Sequence, residues 1–169
     1  MTVTLNDFAP MYGKMVDTAA HLLNKGKAYA VEQGIAEADM LNWRLAGDMN
    51  PLSFQLAVVI NFATGWLARA SGVDAPEAVV GADLDIAGFE QALAGARRFV
   101  DGQAGQLTGR DDVPVTFKIG DIMEPTLPAA QWITGFATTN IYFHVSMAYA
   151  ILRMKGVPLG KLDMFPKGL

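Results

Sequence analysis

The chain of 169 residues has no cysteine and only two histidines, His21 and His144. Without cysteine it forms no disulfide, no thiolate metal site and no cysteine nucleophile. With two histidines it cannot build a three-histidine site, so a metal would bind only if His144 were joined by carboxylates. We therefore expect no cofactor. The absence of cysteine, and of a basic segment followed by an apolar one near the start, favours a cytoplasmic location.

Charged residues are scarce as well. They make up 18% of the chain against 51% hydrophobic residues, the net charge is -4, and there is no run of lysine or arginine. This composition argues against nucleic acid and anionic membranes as partners. It is rich enough in apolar residues for one domain with a proper core. It also leaves apolar surface for a partner to cover, so we expect a homodimer.

Two long stretches, 49–68 and 125–152, contain no Asp, Glu, Lys or Arg. Length alone would let each of them span a bilayer. Both carry many uncharged polar side chains, which are costly in lipid. These side chains include Asn50, Ser53, Gln55, Asn61, Thr64, Gln131, Asn140 and His144. We therefore predict two buried helices of a soluble fold and no membrane partner.

Apolar residues recur at helical spacing in four segments, each with its own start or stop signal. The predicted helices cover about 5–33, 51–71, a segment starting near Asp85, and a last segment from the Thr126 cap to the Gly156 stop. The long connection 35–50 can cross the end of a bundle. The sequence thus predicts an all-α fold, a four-helix bundle with a helix 1–helix 2 crossover, in a single domain over 1–169.

A short β-hairpin is predicted just before the last helix. Residues 113–117 alternate and are rich in β-branched side chains, 119–121 indicate a turn, and 122–123 indicate a short return strand. Pro114 and Pro125 keep the hairpin at an edge, because proline cannot donate to a central ladder.

The last helix has a wide apolar face on which His144 lies. At the helical spacing of about 100° per residue, this face is predicted to be centred on Trp132, Phe136, Phe143, Met147, Ala150 and Met154 and to be widened by Ile133, Ile141, Val145, Ile151 and Leu152. We therefore predict a buried His144 that binds no metal, since the residue one turn on is Ala148. His21 falls in an Asp17–His21–Lys25 ladder and is predicted to be a solvated surface side chain.

Five polar residues form the candidate ligand-binding site: Arg44, Asp48, Gln55, Asn140 and His144. In one interpretation Arg44 and Asp48 pair with each other, or with free backbone groups, and fix the crossover. In the other, the five side chains line a polar pocket at one end of the bundle, with Asn140 as a partner of the imidazole. A buried His144 needs a partner in either case, and its candidates are Asn140, Asp48, Gln55, Arg44 or a backbone carbonyl.

Three runs carry a resemblance to a known family. They are 41–52 with Gln55, 142–153, and 156–161 with Asp163. The chain resembles, over nearly its whole length, a bacterial family of unknown function in the DinB-like superfamily of four-helix bundles. The resemblance implies that fold and the crossover between the first two helices.

The superfamily includes metal-dependent thiol transferases and an isomerase, whose metal is held by three histidines, two of them one turn apart on a late helix. This chain has one such position, His144, and Ala148 where the second would fall. Two functional hypotheses follow. The first is a non-catalytic or small-ligand-binding dimer that has lost the metal triad. The alternative is an enzyme related to the transferases, with His144 as base or metal ligand, so enzyme activity stays open.

Overall fold

A computed structural model describes residues 3–168 of the chain. Most of these residues are helical, in four long helices with a small hairpin before the last of them. The elements are α1 (Phe8–Gln33), α2 (Glu37–Leu41), α3 (Leu52–Ser71), α4 (Ile86–Gly102), β1 (Pro114–Thr116), β2 (Thr126–Pro128), α5 (Ala129–Gln131), a π-helical segment (Trp132–Ala137) and α6 (Thr138–Met154). Single 3₁₀ turns lie at Leu5–Asp7, Gly81–Asp83 and Lys161–Met164. The predicted fold class is confirmed.

The long helices pack in the ring order α1, α4, α3, α6, each against two neighbours. The first two long helices of the chain, α1 and α3, therefore lie on a diagonal of the bundle. The connection between them crosses the end of the bundle, as predicted, and includes the single turn α2. Within residues 3–168 no helix is long and apolar enough to cross a membrane.

Local sequence signals set the ends of α1 and α3 and the start of α4. Helices α1 and α3 stop at Gly34 and Gly72, whose φ angles of 67° and 76° lie in the left-handed region that glycine adopts without strain. Asp85 caps α4 by accepting a hydrogen bond of 2.7 Å from the backbone N–H of Gly88. The ends of α1 and α3 and the starts of α3 and α4 agree with the predicted helices to within one residue, whereas α1 begins at Phe8 rather than near residue 5, because Leu5–Asp7 form a 3₁₀ turn.

The hairpin exists, but its second strand is not the predicted one. Strand β1 pairs antiparallel with β2, with Val115 opposite Leu127. Residues 122–123 only help to close the tip, through a single bridge between Ile119 and Met123. Thr126 and Pro128 are therefore strand residues, and the last helix begins at Ala129 rather than at a Thr126 cap.

The last helix contains a π-helical segment that changes which face is buried. A π-turn holds one residue more than an α-turn, so the residues after it are rotated by about 100° relative to an unbroken α-helix. Trp132 begins the buried face, which then continues through Ala137, Ile141, Val145, Ala148, Ile151 and Leu152. Phe143 and Met154, predicted to be in the core, are instead 52% and 49% exposed. That part of the prediction is wrong because it assumed a constant rotation per residue.

Tyr12 of α1 supports the π-helical segment from the core. Its fully buried hydroxyl donates to the carbonyl of Ile133 at 3.1 Å and lies 3.0 Å from the Thr138 hydroxyl, which also donates to Ile133 at 2.7 Å. Burial raises the pKa of the Tyr12 phenol far above its usual value, so the group remains a donor.

We expect Tyr12→Phe to lower the free energy of unfolding by about 1–3 kcal/mol, because buried acceptors lose a donor without gaining water. Urea unfolding measures this change. Tyr149→Phe is the matched control, since the half-exposed Tyr149 hydroxyl makes no hydrogen bond to any part of the chain that is described. Equal losses in the two variants would contradict the role given to Tyr12.

Candidate functional site

His144 lies on α6 at the edge of its buried face. The core side of this helix is centred on Ile141, Val145 and Ala148, and the imidazole is half-buried rather than buried. The prediction that His144 is buried is therefore wrong. The imidazole forms edge-to-face contacts with two aromatic rings, its centroid lying 5.9 Å from that of Phe54 and 5.1 Å from that of Phe143.

Gln55 of α3 orients the imidazole. The Gln55 side chain is 3% exposed, and its Oε1 lies 2.7 Å from Nδ1 of His144. The Gln55 Nε2 donates to the backbone carbonyl of Asn50 at 3.0 Å. A carbonyl only accepts, so this bond requires the Gln55 nitrogen to face Asn50 and the oxygen to face His144. Nδ1 must then carry the proton.

It follows that Nε2 of the neutral His144 ring is unprotonated. No hydrogen bond links Nε2 to residues 3–168. Burial lowers the pKa of His144 below its ordinary value of 6.5, because desolvation disfavours the charged ring. The imidazole is thus neutral near pH 7, with one nitrogen anchored and the other open as an acceptor.

The other candidate residues do not contact the His144 ring. Arg44 is exposed and donates to the backbone carbonyl of Met49 at 2.7 Å, which is the crossover-fixing contact of the first interpretation. Asp48 is exposed, and it forms no ion pair with Arg44 in the described structure. Asn140 donates to the carbonyl of Phe136 at 2.8 Å instead of to the imidazole. Of the five candidates, Gln55 and His144 come together.

Sequence reasoning did not single out Phe54, although it joins two parts of the site. Phe54 is 39% exposed, contacts His144 on one side, and lines a cavity of about 430 Å³ on the other. The cavity lies between the crossover, which contributes Arg44 and Asn50, and the loop at Gly81 that precedes α4. The one signal for Phe54 was its place beside Gln55 in an uncharged stretch.

His21, the second histidine, is not the solvated side chain that was predicted. Its Nε2 lies 2.7 Å from Oδ1 of Asp163, with a third of its side chain exposed. The other Asp163 oxygen accepts a hydrogen bond from the Gly160 N–H at 2.6 Å. This bond is the main cause that lowers the pKa of Asp163 below its usual range, and the hydrogen bond to His21 is the second. Asp17 of the predicted ladder binds Arg97 instead, at 3.1 Å.

Residues 6–165 match the family model described as "Domain of unknown function (DUF1993)". The chain belongs to this family. It is also similar in structure to a DinB family member protein from Shewanella denitrificans, whose structure was determined by crystallography. The two share 25% sequence identity with a TM-score of 0.81, and the match covers 93% of this chain and 88% of the other. A comparison with curated proteins found no match.

The DUF1993 chain does not present the three-histidine donor set of the superfamily's metal sites. Among residues 3–168, no group of three His, Cys, Asp or Glu side chains is placed to hold a metal ion. In the described structure the side chain that hydrogen-bonds to His144 is the neutral amide of Gln55, and the aromatic rings of Phe54 and Phe143 lie beside it. Ala148, one turn further along α6, is buried and offers no donor. These residues do not fit a metal, and we derive no chemistry through one.

Proposed function

We propose that this DUF1993 protein binds a small molecule at His144 without a metal or other cofactor. Nε2 accepts a hydrogen bond from the ligand, and the exposed edge of Phe54 contacts its apolar part. The observation that carries this proposal is the Asn50–Gln55–His144 chain of hydrogen bonds, which anchors Nδ1 and leaves Nε2 open. Because the ring is already held in one orientation, ligand binding has a smaller entropic cost.

The surroundings of the imidazole favour binding over catalysis. A histidine that acts as a strong general base is commonly paired with a carboxylate, which stabilises the imidazolium that forms. His144 is paired with a neutral amide, and burial already lowers its pKa. Both features disfavour the protonated ring, so His144 is better suited to accept a hydrogen bond than to keep a proton.

The alternative is an enzyme that uses His144 as a general base, and one observation favours it. The ring is neutral near pH 7 with an open Nε2, which is the form that a base requires. A turnover assay separates the two functions. Chemical conversion of a bound molecule by the wild type, and loss of that conversion in His144→Asn, would support the enzyme.

Indole and 1-methylindole test the binding proposal as a matched pair, because they differ chiefly in one N–H donor. NMR titration should show weak binding of indole at His144, about tenfold stronger than that of 1-methylindole, the value of one hydrogen bond of about 1.4 kcal/mol. His144→Asn places an amide N–H near the position of Nδ1 and removes Nε2. It should keep the fold and lose the preference for indole. Equal binding of both compounds, or of neither, would refute the proposal.

We also propose that a second copy of the chain covers the uncharged face formed by α3 and α6. The two uncharged stretches pack against each other there, and the Phe143 side chain on this face remains 52% exposed. Covering such side chains is a common reason for a two-fold dimer. Sedimentation at micromolar concentration should give a dimer that Phe143→Lys dissociates. Val31→Lys, a change at a 73% exposed position on α1, should not. A wild-type monomer would overturn this part.

A further inference from the structure

A groove on another side of the bundle has the shape and charge of a second binding site. It has a volume of about 320 Å³ and lies between the first half of α1 and the segment that follows α6. Its lining includes Met11, Lys14, Met15, Tyr142, Met164 and Lys167. Tyr142 precedes His144 by two residues on α6, so the two side chains point about 200° apart. The groove is therefore separate from the site proposed above.

Several contacts hold the outer wall of the groove against α1. His21 binds Asp163 at 2.7 Å, and the Thr18 hydroxyl lies 3.2 Å from the carbonyl of Met164. Further along, Lys167 lies 3.2 Å from Asp17. Because the wall is attached at three successive points, the groove exists before any ligand arrives, and binding need not order the segment.

The groove is locally positive although the protein is acidic overall. Lys14 is exposed and, in the part of the chain that the structure describes, has no carboxylate within 4.0 Å. Lys167 shares its partner Asp17 with Arg97. Among residues 3–168 the lining holds two ammonium groups, of Lys14 and Lys167, against one carboxylate, Asp7, which accepts hydrogen bonds from the backbone N–H and hydroxyl of Thr4.

The floor of the groove is made by methionines. Met15 is buried, while Met11 and Met164 are half-buried. Methionine side chains are flexible and polarisable, and they adapt to apolar ligands of different shapes. An apolar floor beside the ammonium group of Lys14, which has no carboxylate partner among residues 3–168, is complementary to a molecule with an apolar body and one anionic end.

We propose that the groove between α1 and the segment after α6 binds an organic carboxylate with an apolar chain, the carboxylate at Lys14 and the chain over Met11, Met15 and Met164. The ammonium group of Lys14 supplies a charge-assisted hydrogen bond, and Lys167 adds positive potential at the same rim. The methionines remove the chain from water.

Decanoate, used below the concentration at which it forms micelles, is the probe for this site. Calorimetry should detect its binding, and Lys14→Met, which keeps the apolar stem but removes the charge, should weaken that binding by about tenfold. Lys118→Met is the control, because Lys118 lies on the hairpin and pairs with Asp121. It should bind decanoate as the wild type does. Decanol should bind the wild type about as weakly as decanoate binds the Lys14→Met variant.

Methyl signals of ¹³C-labelled methionine locate the bound chain. Decanoate should shift the signals of Met11, Met15 and Met164, and should do so equally in His144→Asn, so this inference stands or falls independently of the His144 site. Undiminished binding by Lys14→Met, decanol as tight as decanoate, or unmoved methionine signals would each overturn it. Binding of inorganic phosphate as strong as that of decanoate would overturn it too, since no apolar chain would then be needed.

Discussion

Replacing Trp66 by alanine is expected to lower the free energy of unfolding by about 3–5 kcal/mol, the usual loss for a large buried aromatic side chain. Trp66 of α3 is 2% exposed. Its ring stacks on that of Trp132 with centroids 5.0 Å apart and meets those of Phe117 and Phe136 at 4.9 and 5.6 Å. Such pairs add to the stability gained from burial alone.

The loss should extend to the hairpin, because Phe117 attaches it to the bundle. Phe117 packs against both Trp66 and Trp132, and the guanidinium of Arg69 lies 5.1 Å from its ring centroid. Urea unfolding measures the stability, and hydrogen exchange at the amide of Phe117 reports on the hairpin. Trp43→Ala is the control, since Trp43 is only half-buried on the crossover. A loss of less than about 1 kcal/mol in Trp66→Ala would contradict this account.

The second large effect is expected from His144→Ala, which should lower the free energy of unfolding by about 1–3 kcal/mol. The substitution removes the N–H that donates to Oε1 of Gln55. Gln55 is only 3% exposed, so water cannot replace this donor. A buried acceptor without a donor carries its full desolvation cost. Thermal and urea unfolding measure the change.

His144→Asn is the matched control for this prediction. Its amide N–H can take the place of Nδ1–H, so we expect it to recover most of the stability lost in His144→Ala. Because it also lacks Nε2, it separates the structural role of the ring from its proposed binding role. An unchanged melting temperature in His144→Ala would show that the hydrogen bond to Gln55 does not stabilise the fold.

Much of the fold could be predicted because its signals are local. Gly34, Gly72 and Asp85 end or begin helices through contacts within a few residues, and those boundaries were found. The phase of α6 could not be predicted in this way. The π-helical segment that sets it is supported by Tyr12, which is 121 residues away from Ile133 in the chain. A prediction that assumes a constant helical period cannot include the effect of such a distant contact.

The second strand of the hairpin was missed for a similar reason. Thr126 and Pro128 carry the local signals of a helix start. In the fold they pair with β1 instead, and the indole N–H of Trp132 donates to the carbonyl of Val115 at 2.8 Å across the junction. Pairing between segments overrides a local cap preference here.

The sequence identified candidate residues for the site but could not predict which of them contact each other. Gln55 was one of several candidate partners named for His144, because it is a polar residue in an uncharged stretch, but the sequence did not choose it over Asn140, Asp48, Arg44 or a backbone carbonyl, and it lies 89 residues from His144 in the chain. The carbonyls of Asn50 and Met49, which orient Gln55 and Arg44, belong to the backbone and leave no signal in the sequence. Asp48 and Asn140 do not contact the ring, and this too depends on backbone geometry that the sequence does not show.

The most direct test of the His144 site is ¹⁵N NMR of the two imidazole rings, with His144→Asn used to assign the His144 signals. Above its lowered pKa, the neutral His144 ring should show a protonated Nδ1 and an unprotonated Nε2, and it should stay neutral as the pH falls below 6.5. Added indole should shift the Nε2 signal. A ring protonated at Nε2, or one that gains its second proton above pH 6.5, would contradict the account.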